Sequence, residues 1–176
     1  YSNYFYRKAI TQQSSINLRG GSGNIAYLLF AGYDKVISNL NAKEEKINFR
    51  IENSYKPLKN LLINFSLLYT NRNSSNENRP SYNSINLNNR RVPYLGFADQ
   101  NETSLPVSIN YRNSFIDTAG GGKLLDWRYY PLEDYKNTLQ SDKLQDLFAN
   151  VGINYKIKQD IELDIKYLYE KQSSEG

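Results

Sequence analysis

The chain has 176 residues and a net charge of +4, with no His, Cys or Met, and 16 Tyr against 7 Phe and 1 Trp. Without Cys there are no disulfides or thiolate metal sites, and without His the usual general base and the commonest zinc ligand are missing. The basic residues are interspersed with acids rather than gathered on one face, so neither a nucleic-acid partner nor a cofactor is expected.

Mean hydropathy is −0.69, and no run approaches the ~18 apolar residues of a membrane helix. A transmembrane β-strand shows only every second residue to lipid, so this average is compatible with a barrel. The chain opens on Tyr1 and has no signal-peptide pattern. An internal segment of a longer outer-membrane protein is therefore the expectation.

Period-2 alternation dominates and predicts six strands. Over 10–20, Ile16 and Leu18 alternate with Ser15, Asn17 and Arg19. Over 24–33, one face carries Ile25, Tyr27, Leu29, Ala31 and Tyr33, while Ala26, Leu28 and Phe30 fall on the other. Over 46–55, Ile47, Phe49, Ile51 and Tyr55 oppose Asn48, Arg50, Glu52 and Ser54. Over 61–71, Leu61, Ile63, Phe65, Leu67 and Tyr69 oppose Asn64, Ser66 and Thr70. Over 147–157, Ala149, Val151, Ile153, Tyr155 and Ile157 oppose Asn150, Asn154 and Lys156. Over 161–171, Ile161, Leu163, Ile165, Tyr167 and Tyr169 oppose Glu162, Asp164, Lys166 and Glu170.

Segments of about ten residues match a tilted membrane strand better than a globular one of about five or six. The connections alternate: a tight turn at 20–23, a longer polar link at 34–45, a short one at 56–60, a long one at 71–146 and a short one at 158–160. An up-and-down barrel with periplasmic turns and extracellular loops has this rhythm. Tyr27, Tyr55 and Tyr155 near the short turns, and Tyr33, Tyr69, Tyr167 and Tyr169 near the long links, suit two interfacial girdles. The opposite face, with Arg19, Arg50, Glu52, Glu162, Asp164 and Lys166, is expected to line the lumen. Six strands do not close a barrel, so further strands are expected to complete it.

The long link 71–146 opens on an Asn/Ser-rich stretch, Thr70–Asn76, that reads as mobile, and carries a strand-like piece at Leu105–Tyr111 kept outside the membrane. Gly120-Gly121-Gly122 reads as a flexible turn and lacks the spacing of a phosphate loop. A short helix is expected between Tyr135 and about Phe148. Trp127, Arg128, Tyr129, Tyr130 and Tyr135 are candidate ligand or partner contacts, since aromatics and Arg dominate binding hot spots. Asp160, Glu162 and Asp164 lack the order of a calcium loop. With no acid/base constellation either, no enzymatic site is expected.

Ser14-Ser15-Ile16-Asn17-Leu18-Arg19-Gly20-Gly21-Ser22-Gly23-Asn24-Ile25-Ala26-Tyr27 resembles a strand–turn–strand of SusC/RagA-type TonB-dependent transporters. Asn48–Asn53 with Leu61–Tyr69, Leu125–Leu132 and Ala149–Tyr155 are similar to further segments of that family, in the same order. The resemblance implies a 22-stranded outer-membrane barrel of the Bacteroidota with an N-terminal plug. It further implies a SusD-like surface lipoprotein, energising through TonB by regions outside this chain, and import of oligosaccharides or peptides. The alternative is a surface-exposed all-β binding module, adhesin- or lectin-like, without transport.

Overall fold

The computed structural model describes residues 2–81, 83–87, 90–91 and 94–176. It is all-β apart from short helices, with one six-stranded antiparallel sheet in the order β1-β2-β3-β4-β5-β6. The strands are β1 Ile10–Gly21, β2 Ile25–Ile37, β3 Lys43–Leu58, β4 Leu61–Asn76, β5 Gln140–Lys158 and β6 Ile161–Glu175. Every strand pairs with its neighbours in sequence, and β1 and β6 are the outer strands.

All six expected strands are present, but most are longer than their apolar alternation. The link expected at 34–45 shrinks to residues 38–42, because β3 begins at Lys43. The stretch Thr70–Asn76, read as mobile, is the end of β4. Thr70 Oγ1 donates to Asn48 Oδ1 at 3.2 Å, and Arg72 pairs with Glu44 at 2.8 Å. The helix expected after Tyr135 is replaced by a single 3₁₀ turn at Asp134–Asn137, and β5 starts at Gln140. Polar residues there take strand conformation because β6 offers a ladder, with Lys143 opposite Glu175 and Asp146 opposite Gln172. Pairing overrides local propensity when a neighbouring edge is available.

The short turns are residues 22–24, 59–60 and 159–160. At the first, Ser22 N–H donates to Ile25 O at 2.7 Å. Beside it a Cβ on Gly21 would lie 3.0 Å from the Ala26 Cα, and one on Gly20 would lie 2.8 Å from Tyr27 Cζ. The Tyr27 ring thus covers Gly20 on the neighbouring strand.

The β5–β6 register places Tyr155 opposite Leu163, Ile153 opposite Ile165, Val151 opposite Tyr167 and Ala149 opposite Tyr169. Paired residues share a face, so one side of the hairpin is apolar. The other side pairs Lys156 with Glu162, Asn154 with Asp164 and Gly152 with Lys166. A Cβ on Gly32 would stand 3.9 Å from Asn48 Nδ2 and 3.1 Å from the Phe30 ring. Phe30 therefore belongs to the polar face, folded over Gly32 of its own strand.

The chain divides into two compact units. One is the sheet, residues 10–36, 43–74 and 141–176; the other gathers 1–9, 37–42 and 75–140. The three segments of this second unit all connect to the strand ends opposite the short turns. Its core is Phe5, Ile85, Phe97 and Val107, with Leu95, Tyr129, Leu132 and Tyr135 packed against it. Phe5 and Phe97 meet edge to face at 5.4 Å.

The strand-like piece at Leu105–Tyr111 is not a strand. It contributes one isolated bridge, Val107 with Tyr129, before helix α2 at Asn113–Thr118 (α1 is Ser2–Phe5). Gly120, Gly121 and Gly122 all have φ between 61° and 76°, a left-handed run that side chains beyond Cα resist.

Candidate functional site

Two surfaces carry the candidate residues, and each is built within one unit. The first lies in the long connection. Val107 N–H donates to Tyr129 O at 2.8 Å, which fixes the extended segment around Tyr129. Tyr129 packs against the core, and alternation turns Arg128 and Tyr130 away from it. Pro131 is fully buried. Asp134 Oδ2 accepts from Tyr130 N–H at 2.9 Å, and the Tyr130 carbonyl accepts from Glu133 and Asp134 N–H at 2.9 Å each.

The five candidate residues separate into two roles. Tyr129 and Tyr135 serve the core: Tyr135 sits edge-on to Phe5 at 6.5 Å, with the Arg79 guanidinium 5.4 Å over its ring. Burial, and behind it the charge of Asp134, holds the Tyr129 phenol above its ordinary value near 10.

Trp127, Arg128 and Tyr130 form a surface group with residues the sequence did not single out. Trp127 tilts against Tyr111 at 5.5 Å, and Tyr111 stacks on Phe115 at 5.4 Å. All three rings are about half exposed. Arg128 donates to Asp117 Oδ1 at 2.7 Å and to Tyr130 Oη at 3.4 Å, and lies 3.7 Å from Asp126 Oδ1. Tyr130 Oη donates to Asp126 Oδ2 at 3.2 Å. The bond with Tyr130, then that with Asp117 and the charge of Asp126, raise the Arg128 guanidinium further above its ordinary value. The result is an exposed row of three rings beside a cation held by two carboxylates. Such a surface can stack on the apolar face of a ligand while fixed polar groups meet its donors and acceptors. Tyr111, just before α2, and Phe115, within it, are four apart in sequence, and that aromatic spacing was the available signal for their joining Trp127.

A second cluster escaped sequence reasoning altogether. Asn41 is buried at φ 66° in the β2–β3 link. Its Oδ1 accepts from Arg7 at 3.0 Å and its Nδ2 donates to Glu77 at 2.9 Å, while Glu77 pairs with Arg79. One side chain thus ties together the three segments of this unit.

The second surface is the polar face of the sheet. Arg19 and Glu52 line one depression with Ala26, Ser54, Ser66 and Asn150. Arg50 bonds Glu52 along its strand, Glu162 accepts from Asn154, and Lys166 pairs with Asp164 at 3.0 Å. Glu162, Asp164 and Lys166 line a second depression of about 510 Å³ near the turns of β3–β4 and β5–β6. All six residues expected to share a face are on the polar one.

The opposite face carries exposed large apolar or aromatic side chains on every strand, among them Ile16, Phe49, Phe65, Ile153, Ile165 and Tyr167. Among the described residues, every buried hydrophobic side chain belongs to the long-connection unit and none to the sheet. No helix among the described residues is long and apolar enough to cross a membrane. None of their acidic side chains gather in a group of three or more able to hold a metal. Compared with protein-family models and with curated protein sequences, the chain matches none.

Proposed function

We propose that the chain is part of a transmembrane β-barrel of a bacterial outer membrane, and that this barrel imports oligosaccharides or peptides. The observation that carries the reading is the uncovered apolar face. A soluble monomer rarely exposes a contiguous apolar patch larger than a few hundred Å², and this one runs across all six strands. Lipid tails are the natural cover.

Dimensions support it. From Leu61 to Tyr69, and from Ile161 to Tyr169, eight steps of ~3.4 Å span about 27 Å along the strand. At a tilt of ~40° that is about 21 Å along the membrane normal, near the ~25 Å apolar band of such barrels. Beyond Tyr33, Ile47, Tyr69 and Tyr169 the same face turns polar, with Lys35, Glu45, Asn71 and Lys171. These polar extensions stand on the side of the long connections, where strands emerging into outer water would lie. The outer strands β1 and β6 then pair with further strands that close the ring.

The transport part rests on the resemblance to SusC/RagA-type transporters. In that reading the polar face lines the lumen, and Trp127, Arg128 and Tyr130 with their neighbours meet substrate or a SusD-like lipoprotein. TonB energises import through regions outside this chain. The exposed ring row also suits a surface binding module without transport, and uptake of labelled ligand by cells separates the two.

Topology is tested by labelling. The chain has no Cys, so a single introduced thiol is unambiguous. Leu125→Cys, in the long connection, should react with an impermeant maleimide on intact cells. Gln159→Cys, in a short turn, should react only after the outer membrane is opened. Equal labelling of both on intact cells would defeat the reading.

A further inference from the structure

Within the sheet, charge is handled differently at the two ends of the strands. Opposite the short turns cations and acids are mixed: Lys35 pairs with Glu45 at 2.8 Å and Arg72 with Glu44 at 2.8 Å, and Lys43, Lys46, Lys143 and Lys171, without an ion pair among the described residues, stand among Asp34, Asp142, Asp146 and Glu170. At the short turns, Lys56, Lys59, Lys156 and Lys158 are exposed, and among the described residues none has an ion-pair partner. Asp160, in the β5–β6 turn, offsets one of these four charges, and the other acids nearby have partners of their own. Glu162, opposite Lys156 in register, is held by Asn154, and Asp164 by Lys166. Lys56, Lys59 and Lys156 edge a single depression with Asn60.

The apolar face ends at the same level. On it Ile157, between Lys156 and Lys158, is 50% exposed, and Tyr55 and Tyr155 stand just above that level, both exposed. Along β5 an apolar side chain, a phenolic ring and an unpaired lysine follow one another as Ile153, Tyr155 and Lys158, and at the end of β3 Tyr55 is followed by Lys59 in the turn. A phospholipid offers the same sequence of chemistry, from tail to glycerol to phosphate.

We propose that this lysine cluster, led by Lys59 and Lys158 in the turns, is a contact surface for the headgroups of anionic phospholipids in the leaflet that the short turns face. The inference rests on the apolar face being lipid-facing. The Lys158 stem lies along Ile157 while the ammonium groups reach the phosphate layer. Lys56 and Lys156, on the polar face, add to the local positive potential. Unpaired surface cations are attracted to an anionic leaflet by about fivefold in affinity per lysine at low salt.

The test refolds the complete barrel that contains this segment into vesicles of phosphatidylcholine, with and without phosphatidylglycerol as the minor component. Retained lipid is measured by native mass spectrometry after detergent extraction. The wild type should retain phosphatidylglycerol over phosphatidylcholine by about 25-fold for two engaged lysines, falling as salt is raised. K59Q/K158Q should lose most of this preference and the quadruple Lys→Gln variant all of it, with folding in phosphatidylcholine unchanged. K59R/K158R should keep it.

A wild type that inserts into phosphatidylcholine but shows no preference overturns the headgroup site and leaves the membrane reading standing. An unchanged preference in the quadruple variant also overturns the site. Insertion into neither vesicle removes the membrane reading and the proposal with it. Lysine-dependent binding of polyglutamate without lipid preference would reassign the patch to an acidic protein segment and overturn the lipid assignment.

Discussion

Ile165 and Leu168 offer a sharp comparison, because they lie three residues apart on β6 and on opposite faces. Ile165 is 52% exposed in the chain and Leu168 57%. Ile165 faces Ile153 across the hairpin, midway along the apolar band, and Leu168 faces Asn150 on the polar side. In water the two Arg substitutions, Ile165→Arg and Leu168→Arg, should cost about the same, within ~0.5 kcal/mol for exposed sites. In a bilayer they should differ. Arg near the midplane on a lipid face costs ~2–4 kcal/mol, while lumen-side substitution costs little. At 1.36 kcal/mol per decade, this is about 30- to 900-fold in the folding constant of Ile165→Arg. Ile161→Arg, at the turn, should cost only about 0–1 kcal/mol, because that depth is close to the interface. Guanidinium unfolding of the complete barrel in phosphatidylcholine vesicles, followed by far-ultraviolet circular dichroism of the sheet at equal m-values, reads all three. Equal midpoints for Ile165→Arg and Leu168→Arg would refute the assignment of the apolar face to lipid.

Gly20→Ala should destabilise by about 1–3 kcal/mol through overpacking against the Tyr27 ring, and Tyr27→Ala in the same chain should recover part of that loss in a double-mutant cycle. Asn41→Ala should cost roughly 2–4 kcal/mol, from bonds to charged partners and a left-handed backbone. Asn41→Gly, which keeps the backbone and loses the bonds, should recover the backbone share by thermal melting. For Tyr129 the sign follows from its raised phenol. Folding favours the protonated form, so its contribution is full below the unfolded value near 10 and is lost as pH rises through the higher folded value. Alkaline unfolding of the long-connection unit should therefore lose this component in Tyr129→Phe, followed by near-ultraviolet circular dichroism.

Alternation made the sheet legible because the two faces meet different surroundings and each strand records both. It could not show where the strands stop. Beyond Tyr69 and before Leu147 both faces are polar, so Thr70–Asn76 and Gln140–Asp146 read as loop and helix although a paired edge holds them extended. Ladder hydrogen bonds leave no mark on composition. The ring row was half legible for a similar reason. Trp127, Arg128 and Tyr130 are adjacent in sequence, but Tyr111, Phe115 and Asp117 join them only because Val107 pairs with Tyr129 and carries α2 alongside. Tyr129 and Tyr135 looked like the same aromatic cluster yet serve the core, since in an extended chain each residue turns away from its neighbour's side. Asn41 had no signal at all. An Asn in a polar link is ordinary until Arg7 and Glu77, 34 and 36 positions away, close on its two amide atoms. What a one-dimensional pattern records is the solvent on each side of a strand, and that is why the uncovered apolar face was its most legible feature.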